Sequence, residues 1–222
     1  MFVHVKLINM RILITGFEPF GGEKINPSQK ILRKIGKLKF FSGFSVNSVL
    51  LPVSFKRSVE VLKNQYENNV YDFVLHLGQA GSRTCIVLEA LGVNLMDSKN
   101  PDNDGYTANE EPIMPDGALA YRTKINLKKL SEYLSRNKIP NVISYHAGLY
   151  VCNTVNYYSF YCSERYSNPA VSLFVHLPFL PEQVVEKTFL PGYRTPSMSL
   201  NLQIRAVEKI IDFVSTQIIS NF

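Results

Sequence analysis

The feature that most constrains this chain is a regular alternation of short apolar runs with longer segments of helical periodicity. The apolar runs have the length and composition of buried strands, and the segments between them repeat apolar residues three or four positions apart. We predict strands at 11–15, 45–52, 71–77, 85–95, 141–144 and 171–177. We predict helices that start near 26, 54, 126, 152 and 201, the first two capped by Asn26 and Ser54. This order is typical of a layered α/β domain.

We expect one domain over residues 10–222. A chain of 222 residues falls within the single-domain range, and the sequence contains no repeats, low-complexity tracts or linkers. Met10 stands directly before the first strong strand, so residues 1–9 are interpreted as an N-terminal extension outside the fold. Residues 97–121 are rich in Asp, Asn, Pro and Gly and are predicted to form a long loop, which in compact domains is usually functional or mobile.

Charge and cysteine content exclude several classes of protein. The net charge is +6, but the basic residues are scattered, and the densest cluster, at 30–39, has the pattern of a solvated helix face rather than a nucleic-acid site. The three cysteines have no C-x-x-C spacing, which argues against both a disulfide framework and a zinc site. No apolar run approaches the ~20 residues that span a bilayer. Residues 1–9 lack the apolar core of a signal peptide. We therefore expect a cytoplasmic protein that binds neither membrane nor nucleic acid.

Cys152 is the strongest candidate for a catalytic nucleophile. It lies where the strand predicted at 141–144 gives way to a helix, so the thiol would sit in the positive field of a helix N-terminus, near backbone N–H groups without partners. That field stabilises the thiolate, which is the reactive form. The alternative is a buried cysteine that serves only as a small apolar residue. Cys85, placed within a strand, and Cys162, deep in the helix, are interpreted as packing residues.

His176 is the best candidate for the base that a cysteine nucleophile needs. It lies at the end of the last predicted strand, where sites form in open α/β sheets, and Cys152 also follows a strand's carboxyl end. The alternative is a histidine that only bonds a neighbouring carbonyl group. His4 falls in the extension, His76 is interpreted as a satisfied core residue, and His146 as a supporting pocket contact rather than a second base.

Glu89 is the candidate for the group that orients the histidine. It interrupts the apolar run at 85–94, where an ionised carboxylate is costly unless it is paired. Protonated His176 would offset that cost and fix the imidazole tautomer. The alternative is a partly exposed glutamate on an edge strand.

A loop rich in glycine and phenylalanine follows the first strand. The run GFEPFGG at 16–22 matches neither the dinucleotide fingerprint nor the phosphate-binding P-loop. Phe17 and Phe20 on this loop indicate the wall of a small apolar pocket, with core packing as the alternative.

Several motifs in fixed order resemble those of the pyrrolidone carboxyl peptidase (pyroglutamyl peptidase I) family of cysteine peptidases. They lie at 15–27, 78–83, 86–89, 101–105, 147–153, 174–183 and 196–198, and span nearly all of the chain from Met10. The resemblance implies a three-layer α/β/α sandwich with a mixed, mostly parallel central sheet. It implies hydrolysis of N-terminal pyroglutamyl peptides through a thioester, without metal or cofactor, by a cytoplasmic homo-oligomer, a dimer or a tetramer.

The resemblance also implies the roles of individual residues. Cys152, His176 and Glu89 match the catalytic triad. Phe17 and Phe20 match the residues that hold the flat lactam ring, with Asn26 and Gln79 near its polar edge.

Three positions depart from the family pattern. Ala90 stands where Arg usually follows the triad glutamate, Lys99 stands in place of an Arg, and His146 in place of Ser or Thr. Lysine keeps the charge of arginine but not its planar fork. Two alternatives therefore stay open: a Cys-His amidase that acts on another small acyl amide, and a homologue that binds pyroglutamyl groups but has lost turnover.

Overall fold

The computed structural model describes residues 10–165 and 170–220, in which a six-stranded sheet forms the centre of the molecule. In the described residues the strands are Arg11–Phe17 (β1), Ser45–Leu51 (β2), Phe73–Gln79 (β3), Ile86–Glu89 (β4), Leu91–Val93 (β5), Ala120–Arg122 (β6), Asn141–Ser144 (β7), Val171–Leu177 (β8), Thr188–Leu190 (β9) and Tyr193–Arg194 (β10). The large sheet has the order β2-β1-β3-β8-β4-β7. The late strand β8 therefore lies between two strands from the first half of the chain.

The sheet is mixed, with one change of direction. Strands β2, β1, β3 and β8 run parallel to one another, whereas β4 is antiparallel to β8 and parallel to β7. The register at the junction pairs Val87 with His176 and Glu89 with Phe174. The end of β4 is therefore held beside the last residues of β8.

Helices cover both faces of the sheet. They are Pro27–Ile35 (α1), Phe55–Asn68 (α2), Leu127–Arg136 (α3), Val151–Arg165 (α4) and Leu200–Ser220 (α5). The apolar residues of α1, α3 and α5 join one core with one face of the strands, and those of α2 and α4 join a second core with the other face. The expected three-layer α/β/α sandwich with a mostly parallel sheet is confirmed.

The start of each early helix follows from its capping residue. Asn26 accepts a hydrogen bond from the backbone N–H of Ser28, and Ser54 accepts one from that of Arg57. Each bond satisfies a backbone donor that the first helical turn leaves free. Both predicted caps are therefore confirmed.

Three segments differ from the sequence expectation. The apolar run at 85–95 divides at Ala90, because its first half enters the large sheet as β4 and its second half pairs with β6 as β5. The loop at 97–121 ends in β6, and its residue Glu111 forms an isolated bridge with Met96. The hairpin of β9 and β10 is also absent from the sequence prediction.

The N-terminal extension predicted at 1–9, including His4, lies outside the described residues. Within the described parts of the chain, no helix is both long and apolar enough to cross a membrane.

Candidate active site

Glu89 and His176 form a buried pair at the junction of β4 and β8. The Nδ1 atom of His176 lies 2.8 Å from Oε1 of Glu89, and the side chain of Glu89 is completely buried. The register of the two strands makes this contact, since His176 pairs with Val87, two residues before Glu89. The carboxylate fixes the orientation of the ring and leaves Nε2 for other partners.

The electrostatics of this pair favour an imidazolium beside a carboxylate. Burial opposes the charge of His176, but the thiolate of Cys152 and the carboxylate of Glu89 outweigh it and raise the pKa of His176 to about 9. Burial also raises the pKa of Glu89, yet the hydrogen bond and charge of His176 lower it below its usual range. Ser144 and Arg83 lower the pKa of Glu89 further.

Cys152 is the second residue of α4, and its half-buried thiol lies at the carboxyl end of β3 and β8. A Cβ atom placed on Gly78 would lie 3.2 Å from the Sγ atom of Cys152. Gly78 is also the residue that pairs with His176 across β3 and β8. The thiol and the imidazole therefore occupy the same rim of the sheet, close enough for the charge of the thiolate to act on the ring.

The path of the chain to this rim differs from the expected one. We expected Cys152 and His176 to meet because both follow carboxyl ends of strands, but β7, which precedes α4, runs opposite to β8. Segment 145–150 instead returns the chain to the end of β3 before α4 begins. The meeting point is as expected, but the topological reason was wrong.

The start of α4 offers backbone donors next to the thiol. The N–H groups of Asn153 and Thr154 are bonded to the carbonyl oxygen of Tyr150. Those of Val151 and Cys152 have no acceptor among the described residues. Two free donors in the positive field of a helix end can stabilise an oxyanion formed at the sulfur.

The loop that carries Phe17 and Phe20 is held by hydrogen bonds at its base. Phe17 is buried with its ring centroid 6.3 Å from that of Phe174, and its N–H donates to the hydroxyl of Ser28. Asn26 accepts from Ser28 and donates through Nδ2 to the carbonyl oxygen of Glu18. Asn26 is fully buried in this structural role, and its contact with substrate stays a prediction.

Phe20 faces a cleft beside the nucleophile. A cavity of about 380 Å³ is lined by Phe20, Tyr150 and residues 97–101, which include Lys99. Leu149 and Tyr150, which line the cleft, directly precede the start of α4, so the cleft lies near Cys152. Phe20 is half-buried at its wall, as expected for a pocket residue rather than a core residue.

Gln79, the last residue of β3, is buried and bonded to a residue that the sequence did not single out. Its Oε1 atom accepts a hydrogen bond of 2.8 Å from Nε2 of Gln183. Gln183 lies at the end of the motif at 174–183, so its position in the sequence was noted but its partner was not. Only the folded chain brings these two amides together across 104 residues.

The other two cysteines differ from Cys152 in their surroundings. Cys85 lies in the bend before β4, not within a strand as expected. Cys162 is buried in α4, where desolvation raises the pKa of its thiol to about 12. Its burial agrees with its predicted role in packing.

The remaining described histidines lie outside the pair with Glu89. His76 is fully buried, its Nδ1 lies 2.7 Å from the hydroxyl of Thr15, and burial lowers its pKa to about 3. It is therefore a core residue, as expected, but it is not fully satisfied, because its Nε2 atom has no partner among the described residues. His146 is exposed, and its Nδ1 accepts a hydrogen bond from the N–H of Gly148. This bond stabilises the segment that leads to α4.

The other two departures from the family pattern occupy different places. Ala90 is buried in the core beneath α1, α3 and α5. Lys99 is exposed at the cleft. Within residues 10–165 and 170–220, no group of three or more His, Cys, Asp or Glu side chains is arranged to hold a metal ion.

Comparison with known proteins identifies close relatives over nearly the whole chain. The sequence model for pyroglutamyl peptidase matches residues 10–217. The pyrrolidone-carboxylate peptidase of Pyrococcus furiosus is 39% identical over 91% of this chain and 97% of its own length. The crystal structure of the pyrrolidone carboxyl peptidase from Fervidobacterium islandicum AW-1 has 46% identity and a TM-score of 0.88, covering 93% of this chain and 99% of that one. The structure of the pyrrolidone carboxyl peptidase from Thermococcus litoralis has 36% identity and a TM-score of 0.86, and the match covers 94% of this chain and 96% of that one.

Proposed function

Because this chain belongs to the pyroglutamyl peptidase family, we propose that Cys152, His176 and Glu89 carry out its reaction as a catalytic triad. The chain is a cysteine hydrolase that removes N-terminal pyroglutamyl residues from peptides. The observation that supports the assignment of the triad is the convergence of the three side chains at one rim of the sheet. The acid and the ring are 2.8 Å apart, and the thiol lies beside Gly78, the strand partner of His176.

In the proposed first step, the thiolate of Cys152 attacks the carbonyl carbon of the pyroglutamyl residue. A C–S bond forms and the carbonyl oxygen becomes an oxyanion, within reach of the free N–H groups of Val151 and Cys152. As the oxyanion collapses, the C–N bond breaks and protonated His176 donates its proton to the leaving amine. The peptide departs and a thioester remains.

In the proposed second step, water replaces the peptide. His176, now neutral, accepts a proton from the water, whose oxygen attacks the thioester carbon. The C–S bond breaks, the thiolate is restored, and free pyroglutamate leaves. Glu89 holds the ring through Nδ1 during both steps and stabilises its charged form.

We propose that the acyl group binds against Phe17 and Phe20, with Asn26 and Gln79 at its polar edge. A cyclised amino terminus carries no positive charge, so an apolar cleft is a suitable environment for it. The half-buried ring of Phe20 and the cleft beside Tyr150 support this placement. Phe17 and Asn26 are buried, and would act mainly by shaping the loop.

The deciding experiment compares fluorogenic amides that carry pyroglutamate or another small acyl group. We expect release of the amine from the pyroglutamyl compound, and none with Cys152→Ser or His176→Ala, both of which should keep the native circular dichroism spectrum. Faster cleavage of another acyl amide would favour the amidase alternative.

Alkylation distinguishes an active site from one that only binds. Iodoacetamide should modify Cys152 faster than Cys85 or Cys162, because the thiolate is the reactive form and Cys162 is buried. Equal and slow reaction of all three thiols, without turnover, would favour the homologue that only binds.

We further propose a homo-oligomer, dimeric or tetrameric, of single catalytic domains over residues 10–222 in the cytoplasm. The three cysteines are free, which suits a reducing compartment. Val142 and Tyr145 are exposed at the open edge of the sheet, where β7 has only one neighbour. Apolar side chains at an open edge are a common site of association. Light scattering on the eluting protein gives its mass and tests this proposal.

A further inference from the structure

We propose that Ser159 and Ser172 are positioning residues for the catalytic triad. The hydrogen bond between them determines how far α4 lies along β8, and so whether the thiol of the helix meets the imidazole of the strand. The inference rests on the proposed function, because it concerns two members of the triad. It goes beyond that function because it states which contact, remote from the reacting atoms, sets their separation.

The contact joins the helix that carries the nucleophile to the strand that carries the histidine. The Oγ atoms of Ser159, in α4, and Ser172, in β8, lie 2.7 Å apart. The two residues are 0% and 2% exposed. A buried hydroxyl group that loses its partner has no water to replace it, so separating the two side chains is costly.

The spacing along both elements places this bond on the same faces as the reaction centre. Ser159 follows Cys152 by seven residues, which is nearly two helical turns, so both side chains leave α4 on one side. Ser172 precedes His176 by four residues, and alternate residues of a strand share a face. The bond therefore lies about 10–13 Å from the thiol and the imidazole, measured along the two elements.

Strand pairing fixes the other end of this arrangement. Gly78 is the partner of His176 across β3 and β8, and a Cβ atom on Gly78 would lie 3.2 Å from Sγ of Cys152. The strand holds Ser172 at a set distance from His176, and the helix holds Ser159 at a set distance from Cys152. A contact that joins the two elements at one end therefore determines their relative position at the other.

Apolar packing between α4 and β8 is less suited to this task. Val155 and Cys162 of the helix lie in the same core as Phe174 of the strand. Burial of apolar surface is not directional, whereas a hydrogen bond weakens steeply with distance and angle. Ser163 adds a second directional contact, since its Oγ atom lies 2.7 Å from the carbonyl oxygen of Ala170, just before β8.

Other hydrogen bonds of α4 lead away from β8. The amide of Asn153 bonds to Val93 and Leu95, and that of Asn156 to Leu91. These partners lie in β5 or just after it, and β5 pairs with β6 outside the large sheet. They hold the helix, but not against the strand of the histidine.

The first test is Ser159→Ala, measured with the pyroglutamyl amide. Loss of the bond lets α4 shift along β8, so kcat should fall by about tenfold with KM changed by less than about twofold. The alkaline limb of kcat/KM should move to lower pH. The reason is that the thiolate of Cys152 and the carboxylate of Glu89 are the charges that raise the pKa of His176, and the thiolate would move away. A loss of stability alone would not move that limb.

The double variant, Ser159→Ala with Ser172→Ala, separates positioning from stability. The single variant leaves the hydroxyl group of Ser172 buried without this partner, which should lower the midpoint of urea unfolding. Removal of both hydroxyl groups removes that cost, so the double variant should be the more stable of the two. Its kcat should stay as low as that of the single variant, because no bond between the two positions holds α4. Recovery of kcat together with stability would overturn the proposal.

Ser215→Ala is the matched control. Ser215 is also a buried serine in a helix, but its hydroxyl group donates to the carbonyl oxygen of Asp212 within α5. The control should leave kcat and the alkaline limb unchanged. An unchanged kcat in folded Ser159→Ala would reject the positioning role. Should Ser159→Ala fail to fold, the double variant carries the same test of kcat and of the alkaline limb.

Failure of this inference can be told apart from failure of the proposed function. Hydrolysis by the unaltered protein, and its loss in Cys152→Ser, test the triad without a change at either serine. Both results, together with a normal kcat in the serine variants, would reject the role of Ser159 and Ser172 and leave the triad standing. Absence of turnover by the unaltered protein would reject the proposed function, and this inference with it.

Discussion

At the scale of single residues, Glu89 helps to set the pKa of His176 and thereby its protonation. The carboxylate and the thiolate together raise the pKa of the ring to about 9 against the effect of burial. In the proposed reaction this proton goes to the leaving amine, so kcat/KM should fall as the pH rises through the pKa of His176 and the proton is lost.

Glu89→Gln should lower kcat/KM by about 10- to 100-fold and move its alkaline limb to lower pH. The amide can still hold the ring, but it has no charge with which to raise the pKa of His176. The measurement is kcat/KM between pH 5 and 10 for both proteins. An alkaline limb at the same pH in both would exclude Glu89 from control of the proton.

Gly78 is the residue whose lack of a side chain makes room for the ring of Phe174, with the thiol of Cys152 next to it. A Cβ atom there would lie 2.6 Å from Cζ of Phe174 and 3.2 Å from Sγ of Cys152. Gly78→Ala should therefore displace the ring of Phe174, which contacts that of His176, and crowd the thiol. We expect it to lower kcat by at least about tenfold and to destabilise the fold by ~1–3 kcal/mol. Steady-state kinetics and urea unfolding measure the two effects.

Gly43→Ala is the matched control, because a Cβ atom at Gly43 meets nothing within 4 Å. It should leave both kcat and stability unchanged. Normal turnover by a folded Gly78→Ala protein would show that the thiol does not need this space.

The residues of the site were predictable from sequence to different degrees. Cys152 stood out because a thiol at the start of a helix has an unusual electrostatic environment. Glu89 stood out because it is an acid in an otherwise apolar run. Gln183 gave no such signal, since a glutamine near a proline-rich turn is ordinary. Its bond to Gln79 forms in a network with Leu180 and Ile25 that only the folded chain assembles.

At the scale of elements, the long loop at 97–121 takes part in holding the loop that carries Phe20. Nδ2 of Asn103 donates to Oε1 of Glu18 at 2.8 Å and to the carbonyl oxygen of Pro19 at 3.0 Å. The same oxygen of Glu18 accepts from the N–H of Val53. The motif at 101–105, noted in the sequence without a role, therefore has one in the structure.

Asn103→Ala should raise KM several-fold while leaving kcat unchanged. It removes two hydrogen bonds, worth about 1–3 kcal/mol together, and so loosens the wall of the cleft without touching the triad. Steady-state kinetics with the pyroglutamyl amide measures the effect.

Asn68→Ala is the control, since Nδ2 of Asn68 bonds only to Asn64 within α2. It should leave KM unchanged. A fall in kcat without a change in KM for Asn103→Ala would contradict the positioning role.

Element positions were predictable, but strand directions were not. The bounds of β7 and β8 match the predicted 141–144 and 171–177, because each is a short apolar run between polar segments. The break at Ala90 was missed because the run is apolar on both sides of the Glu89–Ala90 step and has no turn residue at that step. The N–H of Ala90 still bonds Ser144 beside the large sheet, while its carbonyl oxygen already bonds Thr123 next to β6.

At the scale of the whole molecule, the position of β8 unites the two halves of the chain. It is placed between β3 and β4, and 87 residues separate Glu89 from His176 along the sequence. Hydrophobic periodicity reports burial and length but not the order or direction of pairing. The convergence of the triad therefore depends on long-range pairing, which the local pattern does not contain.

Two buried histidines with opposite shifts should determine how stability depends on pH. His76 has a pKa of about 3 in the fold against 6.5 as a free side chain, so between these values only the unfolded chain binds the proton. Stability should fall as the pH drops below about 6.5. His176 has a pKa of about 9, so between 6.5 and 9 the folded chain binds more protons, and stability should fall as the pH rises.

We therefore expect the free energy of unfolding to be greatest near pH 6.5 and to decrease on both sides, with slopes of up to ~1.4 kcal/mol per pH unit. Urea unfolding between pH 5 and 9, in the presence of a reducing agent that prevents oxidation of the thiols, measures the curve. His76→Gln should flatten the acid side, because the unfolded state then loses the group that takes up the proton. His176→Ala should flatten the alkaline side, because the folded state then loses the group that holds the extra proton. If each variant lowers stability equally at every pH, neither histidine controls the curve, and the opposite charge states inferred for the two rings would be wrong.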